Sequence, residues 1–188
     1  MKSGIAAAKT PAHTKLKPTL YTHRVPTQFG TVTLGATSAG LAHLQIGKDL
    51  PPEAAKHFYP IVEDAVSLAP YVLALEKYLA SGDIPQALGT DVLPLDMRGT
   101  PFQKACWNAL LRIPRGSVRS YQSIANELGS CARAVGQANG ANPVAILVPC
   151  HRVIGSDGSL AGYGGGMEMK RRLLEFEGIH FAEQRGLF

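Results

Sequence analysis

Residues 120–153 read SYQSIANELGSCARAVGQANGANPVAILVPCHRV, and the fold class turns on how this stretch divides. Ser120 suits an N-cap, because its hydroxyl can accept from a free amide of the first helical turn. The helix it opens runs over Tyr121–Leu128 and is closed by Gly129. A second short helix follows from Ser130 or Cys131 and spans Ala132 to Gly140. Two short helices joined by a glycine turn read as a helix-turn-helix. The second helix is built of small residues (Ala132, Ala134, Gly136, Ala138 and Gly140), with Arg133 its one long cation. Such a helix has little with which to read base edges across a wide major groove. It either packs tightly on a neighbouring helix or lies close against a nucleic-acid groove with Arg133 projecting.

Downstream, Asn142-Pro143 reads as a turn and residues 144–148 (VAILV) as a buried strand that ends at Pro149-Cys150-His151-Arg152. A cysteine at the rigid end of a buried strand, beside an imidazole, has the parts of a nucleophile. The thiolate is the reactive form, and a neighbouring base can generate it. A Cys-His pair alone is also compatible with a cysteine buried as a small hydrophobe. Cys106 falls on the apolar face of a helix and reads as core. Cys131 stands at a helix start with no histidine near it in sequence. The three cysteines and His151 lack zinc-ligand spacing, so neither metal nor cofactor is expected.

Gly155, Gly158 and the run 161–166 (AGYGGG) form a loop whose backbone amides can approach a ligand closely. No Gly-Lys-Ser/Thr follows, so it is not a P-loop. A helix begins at Met167, with Met169, Leu173 and Phe176 on one side, and stops at Gly178. Glu177 sits at its C-terminal end, where a carboxylate is disfavoured and calls for a cationic partner. His151 is a candidate.

Towards the N-terminus, Thr100 caps a helix with Pro101 at its first position. Phe102, Cys106, Ala109, Leu110 and Ile113 share its apolar face, and Pro114 stops it. Residues 92–95 (VLPL) read as a short strand, with Pro94 marking an edge. The apolar spacing from His57 to Ala80 is helical, with an interruption near Pro70. Residues 20–47 alternate as strands broken at Gly30, Gly35 and Gly40, a β-meander. Residues 1–18 lack periodicity and read as a flexible basic tail. A boundary between Gly89 and Thr100 divides the rest into domains at 19–94 and 95–188.

The chain has 188 residues, 45% hydrophobic and 18% charged, which excludes a disordered protein, and its three cysteines, an odd number with no regular spacing, exclude a disulfide scaffold. No apolar run reaches membrane-spanning length. The net charge of +5 is unevenly spread: residues 1–24 carry +5, 25–96 carry −5, 97–172 carry +7 and 173–188 carry −2. A basic second half points to a polyanionic partner.

Pro149-Cys150-His151-Arg152-Val153 resembles the PCHRV motif of the methylated-DNA–protein-cysteine methyltransferases, the O6-alkylguanine-DNA alkyltransferases. Arg98–Gln103, Ser120-Tyr121, Arg133–Gly136, Asn142-Pro143, Gly162-Tyr163 and Leu173–Gly178 follow the same family order. The likeness is close over 92–178 and loose over 20–91. It implies an α/β (α+β) protein with an N-terminal ribonuclease-H-like domain and a C-terminal winged-helix-like helix-turn-helix domain. It further implies irreversible repair of O6-alkylguanine in duplex DNA, through minor-groove binding and nucleotide flipping.

By position, the resemblance makes Cys150 the alkyl acceptor, His151 the base acting through a water, Glu177 the residue orienting His151, and Asn142 the hinge of the cysteine turn. Tyr121, Val148, Tyr163 and Gly164 would bind the base. Arg133, Ala132, Ala134, Gly136 and Ser120 would meet the DNA, with Arg133 filling the vacated stack. The thioether product has no easy hydrolysis route, so the protein should react once. Two features depart from the family pattern. The turn Gly129–Ala132 is shorter, and no cysteine precedes Cys106, so the zinc of larger members is not expected. Relatives that lack the acceptor cysteine bind alkylated DNA without transfer; Cys150 argues against that alternative. The expected partner is duplex DNA containing O6-alkylguanine, with no membrane and no stable oligomer. The expected location is the cytoplasm of a prokaryote or another DNA-containing compartment.

Overall fold

Alternating apolar residues build the first layer. In the computed structural model, which describes residues 17–47, 49–50 and 54–181, β1 (Leu20–Thr27), β2 (Gly30–Thr37) and β3 (Gly40–Ile46) form the antiparallel meander that the alternation predicts. The tail expected over 1–18 lies outside the described residues except for Lys17 and Pro18. Gly40 is required at its turn twice over: its φ is +136°, and a Cβ there would meet the Pro94 carbonyl oxygen at 2.4 Å. Gly35 does not break a strand. It lies inside β2, where the pairing with β3 shifts register, as glycine at a bulge commonly does.

The helix expected from His57 is corrected. A single turn, α1 (Ala54–His57), leads to a short strand, β4 (Ile61–Glu63), which pairs parallel with β1 and sets the sheet order β3-β2-β1-β4. Only then does α2 (Ala65–Ser81) begin, capped by the Asp64 carboxylate accepting from the amides of Val66 and Ser67. Pro70 does not interrupt it. The carbonyl that loses its amide partner is that of Val66, in the exposed first turn, where water can replace the bond. Leu68, Tyr71, Leu75 and Tyr78 form the buried stripe of α2.

Residues 92–95 do not form the expected strand. They touch β3 through one bridge, Leu41 to Leu95, with Leu41 N donating to Pro94 O and Asp96 N to Leu41 O, both at 2.9 Å. Pro94 has no amide with which to extend a ladder. The following helix, α3 (Pro101–Leu111), has a full capping box: Thr100 Oγ1 accepts from Gln103 N, and Gln103 Oε1 accepts from Thr100 N.

The helix-turn-helix forms as read. Its two helices are α4 (Tyr121–Glu127), capped by Ser120, and α5 (Ala132–Gly140), opening after Cys131, with Gly129 at φ +60° between them. Trp107 of α3 anchors α5 by donating from Nε1 to Ala138 O at 2.8 Å. A two-stranded parallel ribbon, β5 (Arg119–Ser120) with β6 (Val153–Ile154), and a final helix, α6 (Met167–Phe176), complete the order.

The buried strand expected at 144–148 is absent. The segment is a succession of tight turns that touches β3 through one bridge, Leu44 to Val144. Its apolar run reflects burial on all sides rather than a sheet. One apolar core is continuous from β2, β3 and α2 through α3 and α5 to residues 144–150 and α6. The architecture is mixed α/β: a sheet half followed by a helical half. Among the described residues no helix is long and apolar enough to cross a membrane.

Candidate functional site

Cys150 opens a one-turn 3-10 helix, Cys150–Arg152, which follows the turns at 144–148. Those turns hold Ile146 at φ +71°, a conformation that costs a β-branched residue of the order of 1–3 kcal/mol. Complete burial of Ile146 in the core holds it there. Asn142 locks the turn from inside: its Nδ2 donates to Val148 O at 2.8 Å, and its Oδ1 accepts from Val144 N at 3.0 Å. Cys150 N also donates to Val148 O. The thiol is therefore fixed by a preformed loop, as a precise nucleophile requires.

Burial pushes the Cys150 thiol above its ordinary range. Hydrogen bonds from Asn142 and Tyr163 and the Lys170 ammonium pull it back down, but less strongly. The resting thiol is protonated and needs a base. His151, fully buried, has its pKa lowered chiefly by burial, against the opposing pull of Glu177. Its Nε2 lies 2.7 Å from Glu177 Oε1. Burial would raise the Glu177 carboxyl, but hydrogen bonds from His151 and Arg152 outweigh it and hold the pKa at about 2. An ionised Glu177 accepts, so the hydrogen of the neutral imidazole sits on Nε2 and Nδ1 carries the lone pair. Nδ1 is buried with no hydrogen-bond partner among the described residues.

His151, the candidate partner for Glu177, is in place as a neutral donor, and the cation is Arg152. Arg152 donates from Nε to Glu177 Oε2 at 2.7 Å and from Nη2 to Oε1 at 2.9 Å, a bidentate pair. It also holds Ile113 O at 2.6 Å. Tyr78 of α2 donates to Glu177 Oε1 at 2.9 Å. Lys170 of α6, also buried, donates to Val153 O and Ala161 O, both at 2.6 Å, so it ties the glycine loop to β6. Burial lowers its pKa to about 8.

A cleft of about 850 Å³ brings together Cys150, Asn142, Tyr121, Tyr163 and Gly164 with Ala132 and Gly136 of α5. Tyr121 donates to the glycine loop at Gly162 O, 3.1 Å. Burial first, and Cys150 second, raise the pKa of both Tyr121 and Tyr163, so both phenols remain hydrogen-bond donors. His151 and Glu177 lie behind the cleft, out of solvent. Val148 is not on the cleft wall: it is buried, and its carbonyl is engaged by Asn142 and Cys150 within the turn. Arg133 is exposed on α5, next to Ala134, and Ser120 is occupied as a cap; none of these three lines the cleft. Cys106 is buried and Cys131 exposed. Among the described residues no group of three or more His, Cys, Asp or Glu is placed to hold a metal ion.

Sequence reasoning missed Arg152, Lys170, Tyr78 and Asn139. Two of them left a signal. Arg152 sits within a buried apolar run, and Lys170 lies three and four residues before Leu173 and Leu174 on the core face of α6. A cation on such a face needs an internal partner.

Comparison with known proteins identifies the family of the chain. Residues 101–179 match the family model described as 6-O-methylguanine DNA methyltransferase, DNA binding domain. The chain is 44% identical over 155 residues to a methylated-DNA–protein-cysteine methyltransferase of Mycobacterium tuberculosis, covering 81% of this chain and 89% of the relative. It is 42% identical over 171 residues to the inducible enzyme of that name from Bacillus subtilis, covering 86% and 92%. The solved structure of Mycobacterium tuberculosis OGT in complex with DNA superposes with a TM-score of 0.67 at 40% identity, over 85% of this chain and 92% of that one. A preorganised buried cysteine backed by a His-Glu-Arg cluster, beside a helix-turn-helix of small residues, thus occurs in a chain that belongs to the methylated-DNA–protein-cysteine methyltransferase family.

Proposed function

We propose that this protein repairs duplex DNA by moving the alkyl group of O6-alkylguanine onto Cys150 Sγ, once per molecule. The observation that carries this reading is the fixed thiol at the floor of a cleft, with a neutral imidazole whose Nδ1 has no hydrogen-bond partner among the described residues and whose Nε2 is held by an ionised carboxylate. Attack on a saturated carbon needs a thiolate. His151 Nδ1 takes the thiol proton through a bridging water, and Glu177 stabilises the resulting imidazolium. Sulfur then displaces the guanine oxygen: one S–C bond forms, one C–O bond breaks, and the electron pair leaves on the purine. Tyr121, released from the glycine loop, donates to the departing base, and the Gly164 amide faces it.

The alkyl carbon is inaccessible inside a duplex, so the nucleotide turns outward at a cost of a few kcal/mol, about the strength of two or three hydrogen bonds. Arg133, exposed on α5, fills the gap. Small residues along α5 let backbone approach a groove closely, which supports minor-groove docking by Ala132, Ala134 and Gly136. The charge of the second half supplies the phosphate attraction. The protein acts as a monomer where its DNA lies, in the cytoplasm of a prokaryote or another DNA-containing compartment.

Intact-protein mass spectrometry after incubation with an O6-methylguanine duplex tests the proposal. The expected result is one methyl group on Cys150 in place of the thiol hydrogen, at a stoichiometry of one, and none on Cys150→Ala. Binding without a mass change, or repeated turnover, would overturn it.

A further inference from the structure

Gln45, half-buried on β3, is a side chain of the sheet half that borders the cleft. Its Nε2 donates to Asn142 O at 3.2 Å, 97 residues away in the chain. The contact fixes which end of the amide faces Asn142, because the rotated amide would set an oxygen against a carbonyl. The peptide that Gln45 holds joins Asn142 to Pro143. Proline has no N–H, so this peptide can be held by hydrogen bonds at its carbonyl oxygen alone. The peptides that follow are held by the main chain of the same strand: Leu44 N donates to Pro143 O, and Ala145 N to Leu44 O, both at 2.8 Å. Those bonds survive any side-chain change on β3, whereas the bond to Asn142 O is supplied by a side chain.

The Asn142 peptide in turn sets the direction of the Asn142 side chain. Its Nδ2 donates to Val148 O at 2.8 Å, and the same carbonyl accepts from Cys150 N at 2.8 Å. The Asn142 side chain also hydrogen-bonds the Cys150 thiol. Cys150 O is held separately, by Asn139 Nδ2 at 3.2 Å. Gln45, Asn142, Val148 and Cys150 thus form a run of bonds from a strand of the sheet to the reactive residue. Transfer rates depend steeply on the placement of the reacting atoms, so a peptide that tilts at one end of this run is felt at the other. We infer that Gln45 is a positioning residue for methyl transfer, which by holding the Asn142 carbonyl aims the Asn142 amide at the cysteine turn. The inference rests on the transfer to Cys150 proposed above.

Single-turnover transfer from an O6-methylguanine duplex tests it, followed against duplex concentration well below the melting temperature of each variant. Gln45→Leu removes the donor. It should slow transfer at saturating duplex by about fivefold, the worth of one neutral hydrogen bond, and leave the half-saturating duplex concentration unchanged. Gln45→Glu sets a carboxylate oxygen against the Asn142 carbonyl and should be at least as slow. Gln45→Lys returns a donor and should recover most of the rate. A wild-type rate in Gln45→Leu overturns the inference. So does a loss confined to the half-saturating concentration, which would make Gln45 a wall of the cleft. A Gln45→Lys rate as low as that of Gln45→Leu also overturns it, since packing and not a donor would then be what the position supplies. Failure of the wild-type chain to take a methyl group would instead defeat the proposed function.

Discussion

At the scale of single residues, the site is governed by which side chains can remain uncharged or must stay charged out of water. His43 shows the first case. It lies on β3, is 6% exposed, has an Nε2 with no hydrogen-bond partner among the described residues, and burial lowers its pKa to about 4. In the unfolded chain the ring titrates near its ordinary value of about 6.5. The native state therefore binds fewer protons than the unfolded state between those two values, and stability falls as pH drops through the window. The full shift corresponds to an order of about 3 kcal/mol. Above the unfolded value the contribution is whole, and below the folded value it no longer changes. Urea unfolding from pH 7 to pH 4 should show this loss, and His43→Gln should flatten much of it. A His43→Gln curve parallel to wild type would place the acid sensitivity elsewhere, with His151 the next group to test.

At the scale of elements, Lys170 decides whether the glycine loop is a surface or a string. The loop from Gly155 to Gly166 has few side chains to pack, so its shape rests on bonds to its backbone. Lys170 supplies one at each side, at Val153 O and Ala161 O, and Tyr121 supplies another at Gly162 O. Lys170→Met keeps the length of the stem but removes the donors. Amide hydrogen exchange across 155–166 should then speed at least tenfold, the factor for losing about 1.4 kcal/mol of local stability, while exchange in α3 stays slow. Unaltered exchange in the loop would show that its shape does not depend on Lys170. The elements most legible in the sequence were those whose signal is local. The capping box of α3 is written in Thr100 and Gln103, the helix-turn-helix in Ser120 and Gly129, and the meander in its alternation. Residues 144–148 suggest a strand and form turns instead, because an apolar run records burial and not conformation. Ile146 at positive φ is imposed by tertiary packing, which no β-branched residue would announce. The spacing around β4 suggests helix for a related reason: three residues carry too short a period to tell strand from helix. At the site, Cys150, His151 and Glu177 were legible from motif and helix position, but the bonds from Tyr78 and Asn139 depend on long-range contacts.

At the scale of the whole molecule, the two halves are one unit both in packing and around the reactive cysteine. The core runs unbroken between them, and α2 of the sheet half reaches Glu177 directly through the Tyr78 hydroxyl. The end of the same helix meets Arg152, whose Nη2 lies 3.4 Å from Gly82 O. Glu177 Oε1 is thus shared by donors from Tyr78, His151 and Arg152, and the sheet half helps to fix the carboxylate paired with His151. Tyr71 on the same helix provides a control, because its hydroxyl donates to Pro94 O at 2.8 Å, remote from the cysteine. Tyr78→Phe and Tyr71→Phe each remove one partly or fully buried hydrogen bond and should each lower stability by about 1 kcal/mol. Only Tyr78→Phe should also slow methyl transfer at saturating DNA, with affinity for the duplex unchanged, because it alone loosens Glu177 against His151. Equal transfer rates in the two variants at matched stability would reduce the sheet half to a scaffold. A slower rate confined to Tyr78→Phe would make it part of the machinery that generates the thiolate.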